Sequence, residues 1–171
     1  SAASDVYKRQ VHYHTVGFQL IFCYRGWVDL VYEDQGKPFR LNAGNCVIQP
    51  PEIRHRVLYA SDNIEVIEIG VPAEHVTTID HSMELPNKTL NPERRFQGQK
   101  FVHHKADKAQ WKAFRIPGFS SRDTSIALNT QNVAGVQVIR PNGQPTQESW
   151  HCSDILFTFV MEGTMPLEGE G

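Results

Sequence analysis

The chain is predicted to be all-β, and two observations lead there. Residues 12–72 are a succession of short strand-like runs separated by turn residues, with no convincing helix among them. The same pattern returns beyond Trp111. Many short strands punctuated by turns indicate a sandwich or a barrel.

Taken in order, residues 18–24 form an apolar run and residues 27–32 alternate in part. Asp34-Gln35-Gly36-Lys37-Pro38 is a turn signal. Residues 39–41 make a short strand, residues 42–45 turn, and residues 46–49 continue to Pro50-Pro51. Residues 54–59 alternate, which places His55, Val57 and Tyr59 on one face and Arg54, Arg56 and Leu58 on the other. After the Ser61-Asp62-Asn63 turn, residues 64–69 are rich in β-branched side chains and close the unit. Residues 11–72 are therefore expected to be a first barrel. Residues 73–110 are polar and poor in core positions, and read as a connection. Residues 111–171 are expected to be part of a second barrel.

Composition narrows the function classes. Of the 171 residues, 40% are hydrophobic, enough for a core, and the net charge of −2 with no Lys/Arg cluster argues against a nucleic-acid surface. No apolar run has the length of a membrane span. Three cysteines, Cys23, Cys46 and Cys152, are odd in number and lack a C-x-x-C pair, which favours a reducing, cytoplasmic setting. Residues 1–10 have no initiator methionine and no periodic pattern, and read as a cloning or sequencing scar. The chain stops just after what looks like the start of a new hairpin.

His12, His14, Gln19 and Gly26 spell H-x-H-x4-Q-x6-G, and Gly44, Pro50, Glu52 and His55 spell G-x5-P-x-E-x2-H. Side chains at i and i+2 of a strand point to one face, so His12 and His14 aim together. Gln19 arrives on a neighbouring strand and His55 on a third. Four nitrogen or carbonyl-oxygen donors can then surround one divalent ion.

This spacing resembles the two signature motifs of the cupin superfamily, G-x5-H-x-H-x3–4-E-x6-G and G-x5-P-x-G-x2-H-x3-N. The three histidines keep their places. Gln19 stands for the acidic ligand, Glu52 for the glycine after Pro50, and Tyr59 for the closing asparagine. The opening glycine would fall at Val6. The resemblance implies a cupin-type β-barrel (double-stranded β-helix, or jelly roll) with a metal site at His12, His14, Gln19 and His55.

An internal repeat extends the resemblance to a bicupin. His14 precedes Gly26 by twelve positions and His151 precedes Gly163 by twelve, with strand-like residues between them in both copies. In this alignment Ser149 takes the place of His12 and Leu156 that of Gln19, so the incomplete second barrel is expected to be metal-free. The chain is expected to be a fragment of a two-barrel protein. Unpaired strand edges in a half-barrel make a homodimer one expected arrangement.

Three imidazoles and an amide form a neutral donor set, suited to one divalent transition metal: iron, copper, nickel, manganese or zinc. With Gln19 in place of a carboxylate, such an ion keeps its full charge as a Lewis acid. Replacing Gln19 by glutamate is expected to be tolerated, since the two side chains are nearly isosteric. Inward parity adds Ile21, Cys23 and Arg25 from one strand, and Val57 and Tyr59 from another. The pocket is then mostly apolar, with Arg25 and Tyr59 as polar handles beside Val57, suited to a small organic acid. Two function classes stay open. One is a metal-dependent enzyme, foremost a dioxygenase-like oxidoreductase as in many cupins, with an isomerase or lyase next. The other is a binding or sensing domain that holds a small molecule without turning it over. His75 and His81, with Glu74 and Asp80, have no rigid element to converge them, and His103-His104 reads as a strand end rather than a ligand pair. Glu68 lies on a strand whose facing the sequence leaves open.

Overall fold

The structure is a computed structural model that describes residues 9–166. Val6 and residues 168–171, on which two of the expectations above bear, lie outside the described residues. Fourteen strands follow in chain order: β1 (His12–His14), β2 (Phe18–Arg25), β3 (Trp27–Tyr32), β4 (Phe39–Asn42), β5 (Cys46–Ile48), β6 (His55–Ala60), β7 (Glu65–Val71), β8 (Thr77–Ile79), β9 (Arg95–Phe96), β10 (Gln99–Lys100), β11 (Val102–His104), β12 (Lys112–Ala113), β13 (Phe119–Asp123) and β14 (Gln137–Pro141). Helix among the described residues is limited to one turn, α1 (Ile126–Asn129), and a 3-10 turn at Ala106–Lys108. The fold is thus nearly all-β.

The strands form a five-stranded sheet in the order β4-β3-β6-β1-β8, a four-stranded sheet β11-β5-β2-β7, a β9-β10 pair and a three-stranded sheet β12-β13-β14. No hydrogen-bonded ladder joins the two larger sheets into a closed barrel among the described residues. They are held together instead by side chains. Cys23 and Val47 from one sheet pack with Val28, Leu30, Tyr32 and Leu41 from the other in one buried cluster.

β2 explains why its sequence is a continuous apolar run rather than an alternating one. Ile21 and Cys23 face the cluster between the sheets. Phe18, Leu20 and Phe22 face the opposite way, into a second cluster with Ile126 and Val138. The third sheet and α1 therefore cover the outer face of β2, so both faces of that strand are buried. β7, by contrast, is the edge of its sheet and carries Glu65 and Glu68, charges that discourage further pairing.

The segment 73–110 does more than connect. β8 completes the five-stranded sheet by pairing with β1, and β11 completes the other by pairing with β5. Arg94 reaches back to Glu33 at 2.6 Å and Asp34 at 2.7 Å. These pairings are invisible to local composition, because short strands of two or three residues owe their shape to the edge they join. His103 and His104 do end a strand and do point apart. His103 stacks on Phe39 at 4.1 Å, while His104 Nε2 accepts from Arg122 at 3.1 Å.

Beyond β14 the described residues show no second copy of the strand pattern. Residues 142–166 contain no strand, and Trp150, Ile155, Leu156 and Phe157 are exposed. A strand needs a neighbour to satisfy its backbone, and no described strand pairs with this segment. Part of it still docks on the body of the protein: Tyr24 OH donates to the Met161 carbonyl at 2.8 Å, and the Tyr24 and Phe159 rings meet edge to face.

Candidate metal centre

The two motif glycines hold the turns that bring the site together. Gly26 has φ +69°, and a Cβ there would collide with Ser61 Oγ; Gly44 has φ +83°. Both sit in the left-handed region that glycine enters without steric cost. Glu52, where the cupin motif has glycine, also adopts φ +62°. The backbone there takes a conformation that glycine favours while carrying a side chain that disfavours it. Its backbone N–H donates to the His14 carbonyl at 3.0 Å, tying the approach to β6 onto β1.

Register then places the histidines. His12 on β1 lies directly opposite His55 on β6, and Tyr32 on β3 lies opposite His55 on its other side. His14 shares the face of His12. The three imidazoles are buried, at 2%, 8% and 4% relative exposure for His12, His14 and His55. One nitrogen from each lies within 4.8 Å of the others. Ring centroids are 5.1 Å apart for His12–His14, 4.3 Å for His12–His55 and 5.2 Å for His14–His55.

Nδ1 of each histidine is engaged by an oxygen. His12 Nδ1 donates to the Gln10 carbonyl at 2.8 Å, and His55 Nδ1 donates to the Ile53 carbonyl at 3.0 Å. His14 Nδ1 meets Thr77 Oγ1 at 2.8 Å. A carbonyl only accepts, so His12 and His55 each carry a proton on Nδ1, and Nε2 would be the donor atom for a metal. Burial, with His12 next in weight, holds the His55 pKa well below the usual imidazole value, so the ring is neutral as a ligand must be. With metal–nitrogen bonds of about 2.0–2.1 Å, three such rings suit one transition ion. The donor set fits.

Gln19, on the other sheet, is linked to this cluster through Gln49. Its side chain is buried, its Nε2 donates to Glu68 Oε1 at 2.7 Å, and its Oε1 accepts from Gln49 Nε2 at 3.1 Å. Glu68 therefore turns toward Gln19, and it fixes the amide so that the carbonyl oxygen is the atom turned to Gln49.

Gln49 and Tyr32 are the residues that sequence reasoning missed. Gln49 Nε2 lies 3.0 Å from His55 Nε2, and Gln49 Oε1 accepts from Tyr32 OH at 2.9 Å. The Tyr32 ring also stacks on His55 at 5.4 Å. Burial, reinforced by the Glu68 carboxylate, raises the Tyr32 pKa far above the usual phenol value, so it remains an O–H donor. A signal for Gln49 was present: it is the one amide in the run Cys46-Val47-Ile48-Gln49, all four of which are buried. Thr77 left no comparable mark in the sequence.

The remaining candidates lie elsewhere. Val57 is half-buried and packs against the cluster between the sheets. Tyr59 is 71% exposed and sits four residues along β6 from His55, about 13 Å away by strand rise. Arg25 is exposed at the far end of β2 from Gln19 and pairs with Glu65 at 3.1 Å. Both polar handles thus stand at strand ends remote from the histidines. The strand parity that points Gln19, Ile21 and Cys23 inward breaks at the bulge between Cys23 and Arg25. His75 sets its ring edge against His14 at 5.5 Å, whereas Asp80 pairs with Arg54 at 3.2 Å. His12, His14 and His55 are the metal-competent group among the described residues.

Comparison with models of known protein families and with curated proteins gives no match to this chain. No helix of the described residues is long and apolar enough to cross a membrane.

Proposed function

We propose that this chain is a metal-binding protein of the cupin type, with His12, His14, His55 and Gln19 as ligands to one divalent transition metal. We propose further that it is an oxidoreductase, dioxygenase-like, acting on a small organic or aromatic acid. The observation that carries the reading is the convergence of three buried imidazoles whose Nδ1 atoms are each engaged by an oxygen. Burying three titratable rings side by side with no metal role would cost desolvation for little gain in packing. The resemblance of both motifs to the cupin signatures, and the left-handed turn at Glu52, support the family reading.

A bound metal would supply polarisation of a coordinated oxygen and electron exchange with dioxygen. The chain's own contribution is to orient the donors. Gln10, Thr77 and Ile53 set the ring planes, and Glu68 sets the Gln19 oxygen. Ile21, Val47 and Val57 pack in the cluster that holds Tyr32, whose ring stacks on His55. A neutral donor set leaves the full charge of the ion to attract an acidic substrate.

Two measurements test this. Metal content of the purified protein should approach one transition ion per chain, and His12→Ala should abolish it. Oxygen uptake by the loaded protein against a panel of small aromatic and carboxylic acids should then reveal turnover. Stoichiometric metal with no uptake on any acid would leave a binding protein in place of the oxidoreductase; no metal at all would remove both.

A further inference from the structure

We infer that Gln49 is a hydrogen-bond donor to an anionic oxygen bound beside the histidines, held in that role by Tyr32. This rests on the metal reading above and names the chemistry of what binds there.

The orientation of the Gln49 amide follows from acceptors at two independent ends. At one end, Glu68 is a carboxylate and accepts from Gln19 Nε2 at 2.7 Å, so Gln19 presents its oxygen to Gln49. Gln49 must therefore donate. At the other end, the Ile53 carbonyl takes the His55 Nδ1 proton at 3.0 Å, so His55 Nε2 presents a lone pair to Gln49 at 3.0 Å. Gln49 must donate again. Its own oxygen is then left for Tyr32, whose hydroxyl donates to it at 2.9 Å. Each polar atom in the chain from Tyr32 to Glu68 has one role that satisfies its neighbours.

Both groups that receive the Gln49 N–H bonds belong to the proposed ligand set. Once the single lone pair of His55 Nε2 turns to a metal it can no longer accept from Gln49, whereas the Gln19 oxygen keeps a second lone pair for its bond. The one buried N–H of Gln49 that this leaves without an acceptor is costly, and a further ligand bound beside His55 is the group to receive it. A lone-pair-rich oxygen, such as a carboxylate or enolate, fills that role, whereas a cationic or N–H-bearing ligand would face like dipoles. The Tyr32 hydroxyl and its stacked ring keep the amide from turning over. Tyr32 is thus a positioning residue.

Copper(II)-loaded protein titrated with azide tests this, with the charge-transfer absorption of the complex as the readout and copper stoichiometry measured separately. Gln49→Leu should keep one copper per chain and weaken azide binding about tenfold, as expected for one hydrogen bond to a charged group. Tyr32→Phe should keep copper and the stacked ring, and weaken azide by a smaller factor of about three. It serves as the second probe if Gln49→Leu does not fold. Unchanged azide affinity in either variant overturns the proposal, as does loss of copper itself from Gln49→Leu, which would make Gln49 a ligand. Failure of the unaltered protein to load copper would instead overturn the metal reading on which the proposal rests.

Discussion

His14 Nδ1 lies 2.8 Å from Thr77 Oγ1, a contact between residues 63 positions apart in the chain. It exists because β8 pairs with β1 and sets Thr77 directly opposite His14. Outer partners of this kind fix ring orientation, and their loss weakens metal binding by about 10- to 100-fold. Thr77→Val keeps the β-branched shape and removes the hydroxyl. Competition against a chromogenic chelator should show at least a tenfold loss of metal affinity; equal affinity would mean that the hydroxyl does not orient His14.

Gln19→Glu should alter metal preference and, contrary to the isosteric expectation, stability as well. Gln19 Nε2 donates to Glu68 Oε1 at 2.7 Å, and in the variant two carboxylates would meet there. The chelator-treated variant should lose about 1 kcal/mol in urea unfolding, restored when Glu68 is also changed to Gln. With metal, manganese should gain on copper and zinc. A double variant no more stable than Gln19→Glu alone would show that the two side chains do not interact.

Glu52→Gly should stabilise the protein. The residue adopts φ +62°, a region costing a non-glycine residue about 1–2 kcal/mol. Added flexibility of the unfolded chain offsets about 0.4–1 kcal/mol of that. A gain of about 0.5 kcal/mol in the chelator-treated protein is expected from denaturant titration. A loss would show that the Glu52 side chain makes a compensating contact.

Acid should weaken the chelator-treated protein before any carboxylate titrates. Burial lowers the pKa of His55, His103 and His104 below their ordinary 6.5, His103 to about 4. Below pH 6.5 the unfolded chain therefore binds more protons than the folded one, and stability falls as pH falls. The melting temperature should be flat above pH 7 and decline between pH 6.5 and 5. A flat profile across that window would show that these rings protonate in the folded protein as readily as in the unfolded one.

The sequence by itself determined the all-β class and the identity of the three histidines, for a local reason. Strand periodicity puts His12 and His14 on one face, and the turn residues Gly26, Gly44 and Pro50 mark where the chain must reverse. Such signals need no knowledge of distant residues. Glu52 is the instructive position among them: its identity departs from the glycine of the resembled motif, while its backbone adopts a positive φ that glycine favours.

Only the tertiary structure decided what surrounds the histidines. Tyr32 reaches His55 through the β3–β6 register, Thr77 reaches His14 through an edge strand of three residues, and Gln49 meets Gln19 across β2 and β5. Each depends on which strands pair and in what register, a choice made by burying the two clusters on either side of β2. The outward placement of Arg25 and Tyr59 has the same origin. Periodicity extrapolated from Gln19 and His55 assumes straight ladders, and register shifts in both β2 and β3 let the strand ends turn to solvent. Residues 142–166 make the converse point: an apolar run becomes a strand only where another strand accepts its hydrogen bonds.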